Sequence, residues 1–261
     1  HEGSLMLLHR SPSHFRSLLL FALFAVYLHA PLAAQGYLHA SGLYIVDGTN
    51  TQIQLRGMGL GGWLVPEGYM LGTSSFADSP TTFRTVVTQL VGSANADAFF
   101  SAYRANYVQR KDIDSLARWG FNSVRLPMHY ALLSSAPGVY IESGFAIIDS
   151  LLDWCEANRL YLFLDLHAAP GGQNTGNISD YQGPPSLWES TLYQDWTTTL
   201  WKTLAARYKN EPWIGGYDLI NETAWSFPSG NGPLRSLLVR ITDSIRTVDQ
   251  NHMIFAEGNW Y

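Results

Sequence analysis

Two short apolar runs constrain this chain more than any other feature: Tyr161-Leu162-Phe163-Leu164-Asp165-Leu166-His167 and Gly216-Tyr217-Asp218-Leu219-Ile220-Asn221-Glu222. Each is too short for a buried helix, is bounded by residues that favour turns, and ends on polar side chains. That is the pattern of a strand enclosed on both faces, the kind found in parallel sheets covered by helices. The second run carries Asn221 and Glu222 side by side to its C-terminal end, and the first carries His167. In parallel α/β barrels that end is where chemistry sits, because the loops leaving it surround the mouth.

The segments between such runs have helical spacing. Apolar residues recur at Ile113, Leu116 and Ala117 within Lys111 to Trp119, and at Phe145, Ile148, Leu152 and Cys155 within Gly144 to Asn158. The same spacing predicts helices over Ser190 to Lys209 and Pro233 to Asp249, and helical stretches over Pro80 to Val91 and Asn95 to Tyr107. Further strands are expected at Phe121 to Pro127, with Pro127 as the stop, and at His252 to Glu257. Near the start, Leu43 to Val46 and Gln52 to Leu55 flank Asp47-Gly48-Thr49-Asn50, a hairpin pattern that leads into the glycine-rich stretch Arg56 to Leu64. Strand and helix alternate with a period of roughly 40 to 50 residues, about five strands in all between Leu55 and Glu257. The expected class is α/β, either an open doubly wound sheet or a (β/α)8 barrel truncated after about the fifth strand. A chain stopping straight after a strand favours the barrel.

Residues 1–36 read as upstream sequence and a secretory signal peptide. Arg10 and Arg16 precede the apolar run Leu18 to Leu28, and small residues follow at Ala30 to Gly36. The run is shorter than the roughly 20 apolar residues that a membrane span needs. The mature domain is therefore expected over residues 37–261, secreted or periplasmic, with no membrane attachment after cleavage. With 21 acidic against 16 basic residues, a net charge of -5 and no block of like charge, nucleic acid is excluded as a partner. The single cysteine, Cys155, permits no intrachain disulfide and reads as a small buried hydrophobe. His129, His167 and His252 lack metal-ligand spacing, so no metal is expected, and nothing calls for a cofactor. A serine-hydrolase reading fails for want of a Gly-x-Ser-x-Gly elbow.

Four motifs taken together resemble glycoside hydrolase family 5, the cellulase family of clan A. They are Arg56 to Leu64, Gly120 to Pro127, Asp165 to Asn174 and Asp218 to Glu222, in the family's order and spacing. The resemblance implies a (β/α)8 barrel that hydrolyses β-linked glucans with retention of configuration. It also implies Glu222 as general acid/base, Asn221 as partner of the sugar 2-hydroxyl, Arg125 as brace of the nucleophilic carboxylate and His167 as lining of the cleavage subsite. Such chemistry needs one carboxyl group to protonate the leaving oxygen and a second, ionised one to attack the anomeric carbon. The family's nucleophile closes the seventh strand, so it is expected outside this chain. Glu257 matches instead the fifth-strand acid that lines the cleft, and the 261-residue chain alone is expected to be inactive and prone to aggregate. Candidate substrate contacts are Trp63, Gln173, Asn174, Trp225, Glu257 and Trp260, with a β-glucan polysaccharide or oligosaccharide as ligand.

Gly59 and Thr223 depart from the family's usual Asn and Pro, which bears on the subfamily and on the loop after Glu222. Asn221-Glu222-Thr223 and Asn177-Ile178-Ser179 are N-glycosylation acceptors. A glycan on Asn221 would block the site, which favours a bacterial source or a position too buried for modification. The rival reading is a barrel that binds carbohydrate without catalysis.

Overall fold

The computed structural model describes residues 36–260. The expected signal segment lies outside the described residues. A small hairpin comes first, β1 (His39–Ser41) antiparallel to β2 (Tyr44–Val46), turning at Gly42 with φ 62°. The hairpin expected between Leu43 to Val46 and Gln52 to Leu55 is reduced to one bridge, Val46 to Gln52, and one hydrogen bond from Ile53 N–H to Ile45 O. Asp47 explains the difference. Its Oδ1 accepts from Thr49 N–H, the Thr49 hydroxyl and Thr51 N–H, curling the chain into a local turn where a ladder would otherwise continue.

The chain then builds β3 (Gly57–Gly59), α1 (Gly68–Leu71), α2 (Pro80–Val91), α3 (Ser93–Tyr107), α4 (Arg110–Arg118) and β4 (Ser123–His129). A short excursion follows: α5 (Tyr130–Leu133), β5 (Ser134–Ala136) and β6 (Val139–Tyr140). After it come α6 (Glu142–Ala157), β7 (Tyr161–Ala168), α7 (Thr191–Tyr208), β8 (Ile214–Asp218), α8 (Gly232–Arg246) and β9 (Met253–Phe255). Among the described residues, β3, β4, β7, β8 and β9 form one sheet in that order, and every adjacent pair is parallel. Each crossover passes through helix, so the expected class holds: these are five successive strands of a (β/α)8 barrel arrangement.

Local chemistry sets these boundaries. Ser79 caps α2 in a reciprocal pairing with Thr82, ahead of Pro80 in the first turn. Ser190 caps α7 through Tyr193 N–H. Helix α6 buries Phe145, Ile148, Leu151, Leu152 and Cys155. Burial pushes the Cys155 thiol up to about 12, the behaviour of a packing residue.

Pro127 does not end its strand. β4 runs on to His129 because Arg125 O is the last acceptor toward β3, receiving Leu60 N–H, and the chain beyond Leu60 turns away. Pro127 faces the same side as Arg125, so its missing N–H costs no ladder bond. On β8, a side chain at Gly215 would come within 2.5 Å of the Phe163 ring, which fills that space. Phe163 and Phe255 meet edge to face at 5.4 Å between ring centres. With Leu55, Met58 and Val124 they line a hollow of about 360 Å³ that Arg125 and Asp218 also border.

Candidate active site

Arg125, on β4, collects the polar ends of the next three strands. Its guanidinium donates to Asp218 Oδ2 at 2.8 and 3.1 Å, to Asn221 Oδ1 at 2.7 Å and to Glu257 Oε1 at 3.3 Å. Asp165 Oδ2 lies 3.1 Å from the same nitrogen. The carboxylate partner that a half-buried arginine requires is thus present threefold. Asp165 is fully buried and bridges onward to His167, whose Nδ1 sits 2.7 Å from Asp165 Oδ2. Burial pushes the Asp165 carboxyl up, opposed by the His167 hydrogen bond and the charges of His167 and Arg125. Burial alone would lower His167, but Asp165 and then Glu67 outweigh it and hold the ring above its ordinary value.

His167 is still on its strand, at a one-residue break in the register of β7 against β4, where Leu166 pairs with Met128 and Ala168 with His129. Glu222 lies beyond its strand. β8 leaves the sheet after Asp218, and Glu222 and Ala224 adopt φ of 41° and 36°. Left-handed geometry in residues with a β-carbon costs on the order of 1–3 kcal/mol each and persists only where neighbours enforce it. The enforcement is visible. Glu222 N–H donates to Glu257 Oε2 at 2.7 Å, and Glu222 O accepts from Asn174 Nδ2 at 2.6 Å. Asn221 O accepts from Gln173 Nε2 at 2.8 Å. Asn259 bonds Trp225 on both N–H and C=O, at 3.0 and 2.8 Å, and its own carbonyl takes Ala224 N–H.

The structure brings Arg125, His167, Asn221, Glu222 and Glu257 together, and it redistributes the other expected contacts. Trp63 is 2% exposed and its indole N–H donates to Arg104 O, so packing takes the place of the expected sugar platform. Gln173 and Asn174 are buried with their amides spent on main-chain groups, which makes them braces of the loop after β8 instead of substrate contacts. Trp225 is half-buried against Tyr181, and Trp260 is largely exposed. Asn221 and Thr223 are buried, which removes Asn221 as a practical glycosylation acceptor in the folded chain.

Three participants lie outside the expected set: Asp165, Asp218 and Glu67. The first two were readable, since Asp165 lies two residues before His167 on the same face of the strand and Asp218 pairs with Asp165 in register. Glu67 had no signal beyond being an acid after a glycine-rich stretch. It is buried, with Oε1 3.8 Å from His167 Nε2 and Oε2 without a hydrogen bond among the described residues. Burial pushes its pKa up, against the pull of His167 and a hydrogen bond from Tyr69, and Glu222 lies within its field. Glu67 Oε2 and Asn221 Nδ2 are both buried without a hydrogen bond among the described residues, and an open acceptor and donor of this kind suit a hydroxyl-rich ligand. No cluster among the described residues has the composition of a metal site. No described helix is long and apolar enough to cross a membrane.

The family model for cellulase, glycosyl hydrolase family 5, matches residues 79–261. A β-xylosidase of Phanerodontia chrysosporium is 32% identical over 232 residues, which are 86% of this chain and 47% of that protein. Endoglucanase C of Acetivibrio thermocellus is 32% identical over 163 residues, 59% of this chain and 43% of its own length. The crystal structure of a rutinosidase from Aspergillus niger superposes with a TM-score of 0.67 at 17% identity, covering 77% of this chain and 61% of that one. The chain spans about half the length of the curated relatives it matches.

Proposed function

Because the chain belongs to glycosyl hydrolase family 5, we propose that it supplies the acid/base side of a retaining glycosidase that cleaves β-linked glucans. The observation that carries this reading is the placement of Asn221 and Glu222 directly over the Arg125, Asp165 and His167 cluster, on a backbone forced into a costly conformation. Strain held in place by several specific bonds is expected where a side chain must be presented at a fixed angle.

In this reading Glu222 protonates the departing glycosidic oxygen and later deprotonates the attacking water. Arg125 holds Asn221 Oδ1, which leaves the buried Nδ2 as the donor for a sugar hydroxyl. His167, held above its ordinary pKa by Asp165 and Glu67, lines the same space as a further donor. Glu257 is not assigned as the nucleophile, because its place two residues beyond β9 matches the fifth-strand acid that the family resemblance implies as a lining of the cleft. Names among the relatives, β-xylosidase, glucan 1,3-β-glucosidase and endoglucanase, support a β-linked glycan and leave its linkage to experiment. The Leu18 to Leu28 segment supports export, consistent with a polymeric substrate outside the cell.

The test is hydrolysis of β-1,3- and β-1,4-linked gluco-oligosaccharides by the full-length gene product, with the product anomer followed by NMR. Release of the β-anomer first, lost in Glu222→Gln, is the expected result. Glycan binding without turnover would favour the carbohydrate-binding alternative.

A further inference from the structure

The bonds around Glu257 carry a further step that rests on the acid/base reading of Glu222. Glu257 lies two residues beyond β9, and both its oxygens receive hydrogen bonds: Oε1 from Arg125 at 3.3 Å and Oε2 from the Glu222 peptide N–H at 2.7 Å. We propose that Glu257 is a positioning residue, whose ionised carboxylate couples Arg125 to the main chain of Glu222 and so sets the height and direction of the acid/base side chain.

Three observations support this. First, Glu222 has φ of 41° without being glycine, so its conformation must be imposed from outside, and its N–H donates to Glu257 Oε2. Second, Arg125 is itself immobilised by Asp165 and Asp218, so the anchor that Glu257 transmits is rigid. Third, both partners of Glu257 are donors. A carboxylate offers two acceptors and satisfies both; an amide offers one and sets an N–H against either the guanidinium or the peptide N–H.

The charged groups around Glu257 are Arg125 from β4, Asp165 from β7 and Asp218 from β8. Burial pushes the Glu257 carboxyl up to about 7. The Glu222 N–H and Arg125 pull against this, and Asp218 and Asp165 add to it. The brace is therefore complete above that pH and weakens below it, as the protonated carboxyl loses an acceptor.

The experiment compares kcat/KM, which reports the first chemical step, for two substrates in the full-length gene product. One is a β-gluco-oligosaccharide, whose leaving oxygen needs a proton; the other is a 2,4-dinitrophenyl β-glycoside, whose leaving group does not. Glu257→Gln should lower kcat/KM on the oligosaccharide by about 10- to 100-fold through kcat, and less than about threefold on the dinitrophenyl substrate, the range a misplacement near 1 Å produces. Glu257→Asp, which keeps two acceptors, should recover part of the loss. Equal losses on both substrates, or a rise in KM alone, would overturn the proposal. Should Glu257→Gln fail to fold, Glu257→Asp decides: its shortened carboxylate displaces the Glu222 peptide, so a larger loss of kcat/KM on the oligosaccharide than on the dinitrophenyl substrate is expected, and equal losses contradict the inference. If Glu222→Gln leaves oligosaccharide hydrolysis intact, the acid/base reading itself fails, a result distinct from any produced by Glu257.

Discussion

The ends of β7 and β8 hold their functional side chains in opposite ways. β7 stays a strand through Ala168, and the pairs on either side, Leu166 with Met128 and Ala168 with His129, bracket His167 at a one-residue break in register. β8 stops at Asp218, and Glu222, four residues later, hangs on side chains of Gln173, Asn174, Glu257 and Asn259. Main-chain positioning tolerates substitution around it. Positioning by side chains does not, because each brace is a separate residue that can be removed. The β7 end depends on charge, through Asp165, and the β8 end on geometry.

That contrast can be broken in order of effect. Glu222→Gln should reduce kcat on gluco-oligosaccharides by about 10²- to 10⁴-fold with little change in thermal stability, since Gln keeps the side chain's size and the bonds to the Glu222 main chain are untouched. Asp165→Asn should cost about 3 kcal/mol in urea unfolding, because a fully buried carboxylate that serves both Arg125 and His167 is lost from the ladder side. Gln173→Ala removes bonds to Ala169 N–H, His167 O and Asn221 O, so it bridges both ends. About 2 kcal/mol and roughly tenfold in kcat are expected to go together, and loss of stability alone would mean the bridge is not felt at Glu222.

Smaller effects follow from titration and packing. Glu257 has a folded pKa raised from 4.5 to about 7, so its contribution favours the folded state below the unfolded value and is lost as pH rises through about 7. Unfolding free energy should therefore decline across that window, with the slope reduced in Glu257→Gln. Asp47 and Asp180 are held below their ordinary values, Asp47 foremost by Thr49, and Asp180 by His129 and Thr81 against its burial. Their stabilisation is present above pH 3.8 and is lost in more acid solution. Trp63→Phe should lose about 1 kcal/mol with the hydrogen bond to Arg104 O and leave KM unchanged.

Much of this was legible in the sequence, for reasons tied to particular residues. Runs such as Tyr161 to His167 are buried on both faces, and their hydrophobicity has no rival explanation, so β7 and the general order of strands and helices could be read directly. Pro127 misled because its tolerance depends on which neighbour its nitrogen faces, a property of the sheet and not of the strand. The first hairpin misled because the Asp47 side chain outcompeted the ladder locally. In the site, strand-end residues were found and braces were not: Gln173 and Asn174 have the composition of sugar contacts, and only their geometry shows that their amides are spent on the backbone. Glu67 was invisible because its burial beside His167 arises from a loop that carries no period.

The central claim, that the braced Glu222 is the acid/base of a retaining glycosidase, is met most directly by azide rescue. Glu222→Ala in the full-length gene product would be supplied with a 2,4-dinitrophenyl β-glycoside and sodium azide. The account predicts that azide restores turnover and yields a glycosyl azide of retained configuration, because a small anion attacks the glycosyl-enzyme where no general base remains. Wild-type hydrolysis of gluco-oligosaccharides by Glu222→Ala, with no azide product and no acceleration, would contradict it.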